Sequence, residues 1–79
     1  MNIGSLVSIR LNTFGRHVLY DKPTCNFTRD PGYVGTVHHY DICILLDVEY
    51  SQLDCDEFSK ILTSCGHMGW LQSRLIVKL

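Results

Sequence analysis

The sequence predicts an all-β domain, and three features of the chain indicate it. Near the start, Val7, Ile9 and Leu11 alternate with polar residues, which is the period-two pattern of a half-buried strand. The run ICILLDVEY at 42–50 is apolar on both faces in its first half and on one face in its second. This strand is therefore expected to begin buried and to run out to solvent. Short segments rich in turn-forming residues separate the apolar runs, as turns do between strands.

The other elements follow along the chain. RHVLYD at 16–21 is a short apolar segment, and the stretch from residue 21 to residue 32 contains both prolines and several turn-forming residues. That composition predicts a long loop. YVGTVHHYD at 33–41 has the pattern of a strand, in which Gly35 permits a bulge or a close backbone approach.

The segment at 54–65 fits two structures. Asp54 and Glu57 have the spacing of a helix capping box, the apolar residues that follow recur with helical spacing, and Gly66 suits a helix C-cap. The same residues also fit a strand, EFSKILT at 57–63, followed by a hairpin turn. The local pattern leaves both structures open.

The end of the chain, EFSKILTSCGHMGWLQSRLIVKL at 57–79, resembles the last part of Src-homology-3-like barrels, especially the bacterial type. Those barrels end in a strand, a glycine turn, GW with an apolar residue, a polar single turn and a closing strand. GWLQSRLI at 69–76 is similar to the GWIPSNYV that ends eukaryotic members, and VLYDKP at 18–23 is similar to the LYD segment before their long loop. YVGTVHHYDICILLDVE at 33–49 is similar to the bacterial strand, turn and hydrophobic strand. The order agrees over residues 5–78.

A length of 79 residues predicts a single domain, residues 1–79. The resemblance implies that it is built as a small barrel of five to six short antiparallel strands. It favours a strand at 57–63 and places the closing strand at 76–79 beside the first strand at 3–11. The alternative is an α+β domain with a helix near residues 54–65. Short phage and environmental bacterial proteins have sequences of this kind, so a small phage or bacterial accessory protein is expected.

Composition limits the classes of function. The 79 residues are 46% hydrophobic and 19% charged with a net charge of −1, which is ordinary for a folded domain and lacks the basic excess of nucleic-acid-binding proteins. The start of the chain lacks the features of a signal peptide, and no apolar run approaches the length of a membrane span. We therefore expect no membrane partner and a cytoplasmic location, or the virion or host cell if the protein is phage-encoded. The four cysteines are then expected to be free thiols.

The expected binding surface consists of aromatic residues. Eukaryotic relatives bind proline-rich peptides in an aromatic groove, but Gln72 and Leu75 stand where GWIPSNYV has its proline and tyrosine, so that ligand is not favoured. Because aromatic side chains dominate binding hot spots, the candidate residues are Tyr20, Phe27, Tyr33 and Trp70. Whether Trp70 is core or surface stays open.

The predicted function is a non-enzymatic module that binds another protein. A module that binds the peptidoglycan of the cell wall is the alternative, and a nucleic-acid-binding barrel is third. No catalytic residue, cofactor or metal is predicted: the adjacent His38 and His39 point to opposite faces of a strand, and Cys65 with His67 is a single weak ligand pair. No oxyanion-hole motif accompanies a cysteine–histidine pair.

Overall fold

The computed structural model describes residues 3–11, 16–23, 33–52 and 54–79, with Tyr33 described by its backbone alone. These residues form seven β-strands and one 3-10 turn. The all-β class predicted from the sequence is confirmed. The elements are β1 (Leu6–Ile9), β2 (Arg16–Tyr20), β3 (Tyr33–His38), β4 (Ile42–Ser51), β5 (Asp56–Leu62), β6 (Met68–Gln72), the 3-10 turn (Ser73–Leu75) and β7 (Ile76–Lys78).

The strands form one antiparallel sheet with the order β3-β2-β6-β5-β4-β1-β7. The sheet is not closed, and β3 and β7 are its edges. β1 pairs with β7, with Val7 opposite Lys78 and Ile9 opposite Ile76. This pairing confirms the predicted contact between the first and last strands, so the end of the chain lies beside its beginning.

The described residues form seven strands, where five to six were predicted. The segment Arg16–Tyr20, which is a short apolar piece in the sequence, forms a complete strand. It pairs with β3 along one side, and Tyr20 pairs with Trp70 of β6 on the other side. The neighbouring strands β3 and β6 provide hydrogen-bond partners for the backbone of this segment. They stabilise a strand that local propensity alone does not predict.

The α+β alternative with a helix near residues 54–65 is wrong. Asp56–Leu62 is a strand that pairs with β4 on one side and with β6 on the other. These two ladders outweigh the helical spacing of the apolar residues, because tertiary context overrides local propensity. Asp54 lies in the preceding turn, where the Ser51 hydroxyl donates a hydrogen bond of 2.8 Å to its carboxylate.

The sheet carries a buried cluster on each face. The main core contains Val7, Ile9, Leu19, Val37, Cys43, Leu45, Ile61, Leu71 and Ile76. The opposite face holds a smaller cluster of Tyr20, Phe58 and Trp70 with the half-buried Val18. Burial of each large apolar side chain contributes about 1.5–3 kcal/mol, so the main core dominates the stability of the domain.

A register shift in β4 sets which side chains share a face. The β4–β5 ladder is regular up to Leu45, which lies opposite Ile61, and resumes with Asp47 opposite Lys60. Leu46 is the extra residue, as in a β-bulge. Because directly opposed residues point to the same side of a sheet, Ile44 and Asp47 face the same way, although residues three positions apart in a regular strand point to opposite faces.

Candidate interaction surface

The structure brings two of the predicted site residues together as a buried pair. Tyr20 lies directly opposite Trp70, and their side chains are 9% and 8% exposed. Phe58 packs with them and is fully buried. The backbone of Tyr33 lies beside Tyr20 in the β2–β3 ladder, and Phe27 is outside the described residues. The aromatic pair therefore has a structural role in the sheet and offers little area to a partner.

A large apolar surface lies on the same face of the sheet as Trp70. One row of side chains crosses the sheet in register: each of its members lies opposite the next on the neighbouring strand. The amide of Leu79 donates a 3.3 Å hydrogen bond to the Leu6 carbonyl. Leu79 therefore continues the row on the other side of β1. The row consists of Met68, Leu62, Ile44, Leu6 and Leu79.

Two further apolar side chains flank this row. Ile42 and Val77 both lie opposite Ser8 of β1, one on each side of it. We call the row and these two residues the apolar band. Its full membership is Leu6, Ile42, Ile44, Leu62, Met68, Val77 and Leu79.

The apolar band is open to solvent. Leu62 is half-buried, and the other six members range from 37% exposed at Ile44 to 57% at Leu79. The row crosses four inter-strand steps, which span about 19 Å at the usual strand spacing. Contiguous exposed apolar patches of this kind mark interaction sites in soluble proteins.

The two faces of β4 explain how the sequence forms this surface. Cys43 and Leu45 are buried in the main core, whereas Ile42 and Ile44 point outward and are 53% and 37% exposed. The expectation that this strand begins buried and runs out to solvent is confirmed for the inner face of its first half and for the exposed residues 47–50, but the outer face of its first half is not buried. A run that is apolar on both faces predicts two covered faces, but within the described part of the chain only one face of this segment is packed.

A basic and aromatic pair lies beyond one long side of the apolar band. The Arg10 guanidinium lies over the Tyr40 ring, with 4.5 Å between Cζ and the ring centroid. Nη1 of Arg10 also donates a 2.7 Å hydrogen bond to the hydroxyl of Ser8, which is buried beneath it. Tyr40 is 62% exposed. Arginine and tyrosine are among the residue types enriched in binding hot spots, and stacking on the ring favours this position of the arginine.

The opposite side of the row is acidic. Asp47 lies opposite Lys60, and Glu49 lies opposite Phe58, so both carboxylates are on the face of the apolar band. Both acidic residues are exposed, whereas Lys60 is half-buried. The band therefore has a positive charge beyond one long side and negative charges beyond the other.

The histidines considered for metal binding have other contacts in the described residues. No group of three histidine, cysteine or acidic side chains in that part of the chain could hold a metal ion. His39 Nδ1 accepts a 2.9 Å hydrogen bond from the Leu11 amide, whereas His38 Nδ1 lies 3.7 Å from the Asp41 carboxylate. His67 packs on the Gly35 backbone, where an added Cβ would come within 2.8 Å of its ring.

No protein-family model matches the chain, and comparisons with curated proteins and with solved structures find no match either. Among the described residues, no helix has the length and apolar character needed to cross a membrane. Within the described part of the chain, the apolar band combines six exposed large apolar side chains with charged groups beyond both long sides.

Proposed function

We propose that this protein is a non-enzymatic interaction module with a Src-homology-3-like fold, a small phage or bacterial accessory protein that binds another protein through the apolar band. The observation that carries the proposal is the exposure of the band: six large apolar side chains between 37% and 57% exposed on one sheet face. Covering them with a partner removes apolar area from water, which is the main driving force of protein association.

The order of elements supports the fold part of the proposal. A single 3-10 turn, Ser73–Leu75, separates β6 from β7, and β7 returns to pair with β1. This is the arrangement that the resemblance implies for the end of a Src-homology-3-like chain. β2 and β3 pair with each other on either side of residues 21–32, where the resemblance implies a long loop; residues 24–32 of that segment lie outside the described residues.

A protein partner fits the band better than a nucleic acid does. Phosphate backbones are bound by lysine and arginine, and their release of counterions dominates affinity. The band is apolar and bordered by Asp47 and Glu49, which repel phosphate. Protein interfaces combine an apolar centre with a polar rim, which matches a band with Arg10 on one side and carboxylates on the other.

The experiment is affinity capture from a lysate of the source organism or its host with quantitative mass spectrometry. The bait proteins are the wild type, Ile44→Lys in the centre of the band and Tyr50→Lys as the control. Tyr50 belongs to the same strand, is 60% exposed and lies opposite Glu57 on the other face of the sheet. Nuclease treatment before capture removes proteins held through nucleic acid.

The proposal predicts that Ile44→Lys loses the proteins that wild type and Tyr50→Lys both retain. The proposal fails if Ile44→Lys retains the same proteins. Cosedimentation with peptidoglycan sacculi, abolished by Ile44→Lys, would assign the band to the cell-wall alternative. Loss of all captured proteins after nuclease treatment would favour nucleic-acid binding.

A further inference from the structure

The charges beside the apolar band are self-complementary: a positive group lies on one side of the row and negative groups lie at a similar distance on the other. Arg10 stands four residues beyond Leu6, directly after the end of β1, and Glu49 stands beyond Ile44 in the opposite direction on the neighbouring β4. At the usual rise per residue, each is about 13 Å from the row, on opposite sides of it. β1 and β4 are adjacent strands about 5 Å apart, so the two positions are related by reflection across the row with a small sideways offset.

A two-fold axis lying along the row can relate two copies of the chain so that opposite charges meet. It turns the partner over about the row, so that Arg10 of each copy faces the acidic side of the other copy near Glu49. The lateral offset of one strand spacing is within reach of an arginine and a glutamate side chain. The row meets the row of the partner, with Leu6 and Ile44 at its centre.

The other simple arrangement is electrostatically unfavourable. A two-fold axis that runs across the row, parallel to the strands through Ile44, places Asp47 and Glu49 of one copy over the same residues of the other. Like charges that are brought together at an interface disfavour that arrangement. The charge distribution therefore selects the axis along the row.

We infer that the partner covering the apolar band is a second copy of this chain, docked face to face with its two-fold axis along the row. The inference rests on the proposed function, since it names the protein that this surface binds. The resulting contact is a sheet-on-sheet packing, in which inner faces pack about 10 Å apart with strands nearly aligned. Such isologous interfaces are the commonest in soluble oligomers.

A charge exchange tests this geometry. In Arg10→Glu, each homodimer contains two contacts between acidic groups, and in Glu49→Arg, each contains two between basic groups. A heterodimer of these two variants contains only opposite charges, since the exchanged pair and the native pair are both complementary. The measurement is native mass spectrometry of each variant alone and of equimolar mixtures, which resolves homodimers from heterodimers.

The inference predicts that the two variants recombine. Each variant alone dimerises more weakly than the wild type, and the mixture contains the heterodimer in about tenfold excess over its statistical share, because only the heterodimer is free of like-charge contacts. The control mixture pairs Arg10→Glu with Glu57→Arg. Glu57 lies opposite Tyr50 on the other face of the sheet, so this mixture has the same net charges and should show no such excess.

Other outcomes overturn the inference. Equal heterodimer excess in the control mixture would assign the effect to net charge, and no excess in either mixture would exclude the proposed orientation. A wild type that is monomeric at every concentration would exclude a second copy as the partner. If its capture of other proteins still depended on Ile44, the proposed function would stand with a different protein on the apolar band. Thermal unfolding of each variant verifies that it is folded.

Discussion

Leu6 lies directly opposite Ile44 on the outer face of the β1–β4 ladder, and the two side chains are 54% and 37% exposed. The next pair in the same ladder, Val7 with Cys43, points into the main core and is 0% and 2% exposed. Two neighbouring strands thus present apolar residues on both faces but bury only one. The buried pair contributes to folding, whereas the exposed pair is available to a partner.

This division predicts different effects for adjacent residues of β4. Leu45→Ala should lower the free energy of unfolding by about 2–5 kcal/mol, the usual cost of a leucine-to-alanine cavity in a core. Ile44→Thr keeps a β-branched residue at an exposed strand position and should change the free energy of unfolding by less than about 1 kcal/mol. Urea unfolding at low protein concentration, where association does not contribute, measures both values. A larger loss for Ile44→Thr than for Leu45→Ala would contradict the assignment of the faces.

Trp70 should behave as a core residue in solution. It is the only tryptophan, and it is 8% exposed against Tyr20 and Phe58. The folded protein should therefore show blue-shifted tryptophan emission that acrylamide quenches weakly, and unfolding in urea should shift the emission to the red and increase quenching. Strong quenching in the folded state would contradict the burial of Trp70 and make it a candidate for the binding surface again.

Gly69 should tolerate no larger residue. A Cβ at this position would lie 2.7 Å from both Leu19 Cβ and Val34 Cγ2, and 3.2 Å from the Tyr20 carbonyl oxygen. Since Leu19 is fully buried, the neighbours cannot move apart freely, and Gly69→Ala should destabilise the domain by about 1–3 kcal/mol. Thermal or urea unfolding measures the change, with the exposed strand position Thr36→Ala as the control. Equal stability of the two variants would show that β2 and β3 do not approach β6 this closely.

The sequence predicts the strands whose two faces differ clearly. Alternation around Val7 and Ile9 predicts a half-buried strand, and both residues are buried in it. The polar single turn at Ser73–Leu75 and the last strand follow from the resemblance to Src-homology-3-like chains. The contact between first and last strands follows in the same way and is confirmed by the β1–β7 ladder.

The sequence predicts the candidate surface poorly, for two physical reasons. Aromatic residues serve both as core and as hot-spot residues, so residue type could not reveal that Tyr20 and Trp70 bury each other. The sequence of an apolar run also does not show which face of the strand is covered, and here Ile42 and Ile44 point to solvent. Only the pairing of neighbouring strands assembles the apolar band from residues distant in sequence, and the register shift at Leu46 places Asp47 and Glu49 on the same face.

The buried thiol of Cys43 should resist chemical modification. Burial, with a smaller contribution from Asp41, raises its pKa from 9.0 to about 11, whereas Cys55 and Cys65 are free and exposed in turns. Because the thiolate is the reactive form, iodoacetamide at pH 8 should label Cys55 and Cys65 in the folded protein and Cys43 only after unfolding. Peptide mass spectrometry over a time course measures the three rates. Labelling of Cys43 as fast as Cys65 would contradict its burial.

The same thiol predicts how stability depends on pH. In the unfolded chain the Cys43 thiol loses its proton near its ordinary pKa of 9.0, whereas in the folded protein it keeps the proton until about pH 11. The folded state therefore binds more protons in this interval, and the free energy of unfolding falls as the pH rises through it. Cys43→Ala should remove this part of the decrease, which urea unfolding at several pH values detects.

Sedimentation equilibrium on the wild type, Ile44→Lys and Tyr50→Lys tests whether the apolar band is an interface. The two substitutions place the same charge on opposite faces of one strand, at positions that are 37% and 60% exposed. We expect the wild type and Tyr50→Lys to shift from monomer to dimer mass as concentration rises, and Ile44→Lys to remain a monomer over the same range. Identical curves for Ile44→Lys and the wild type would contradict an interface at the band.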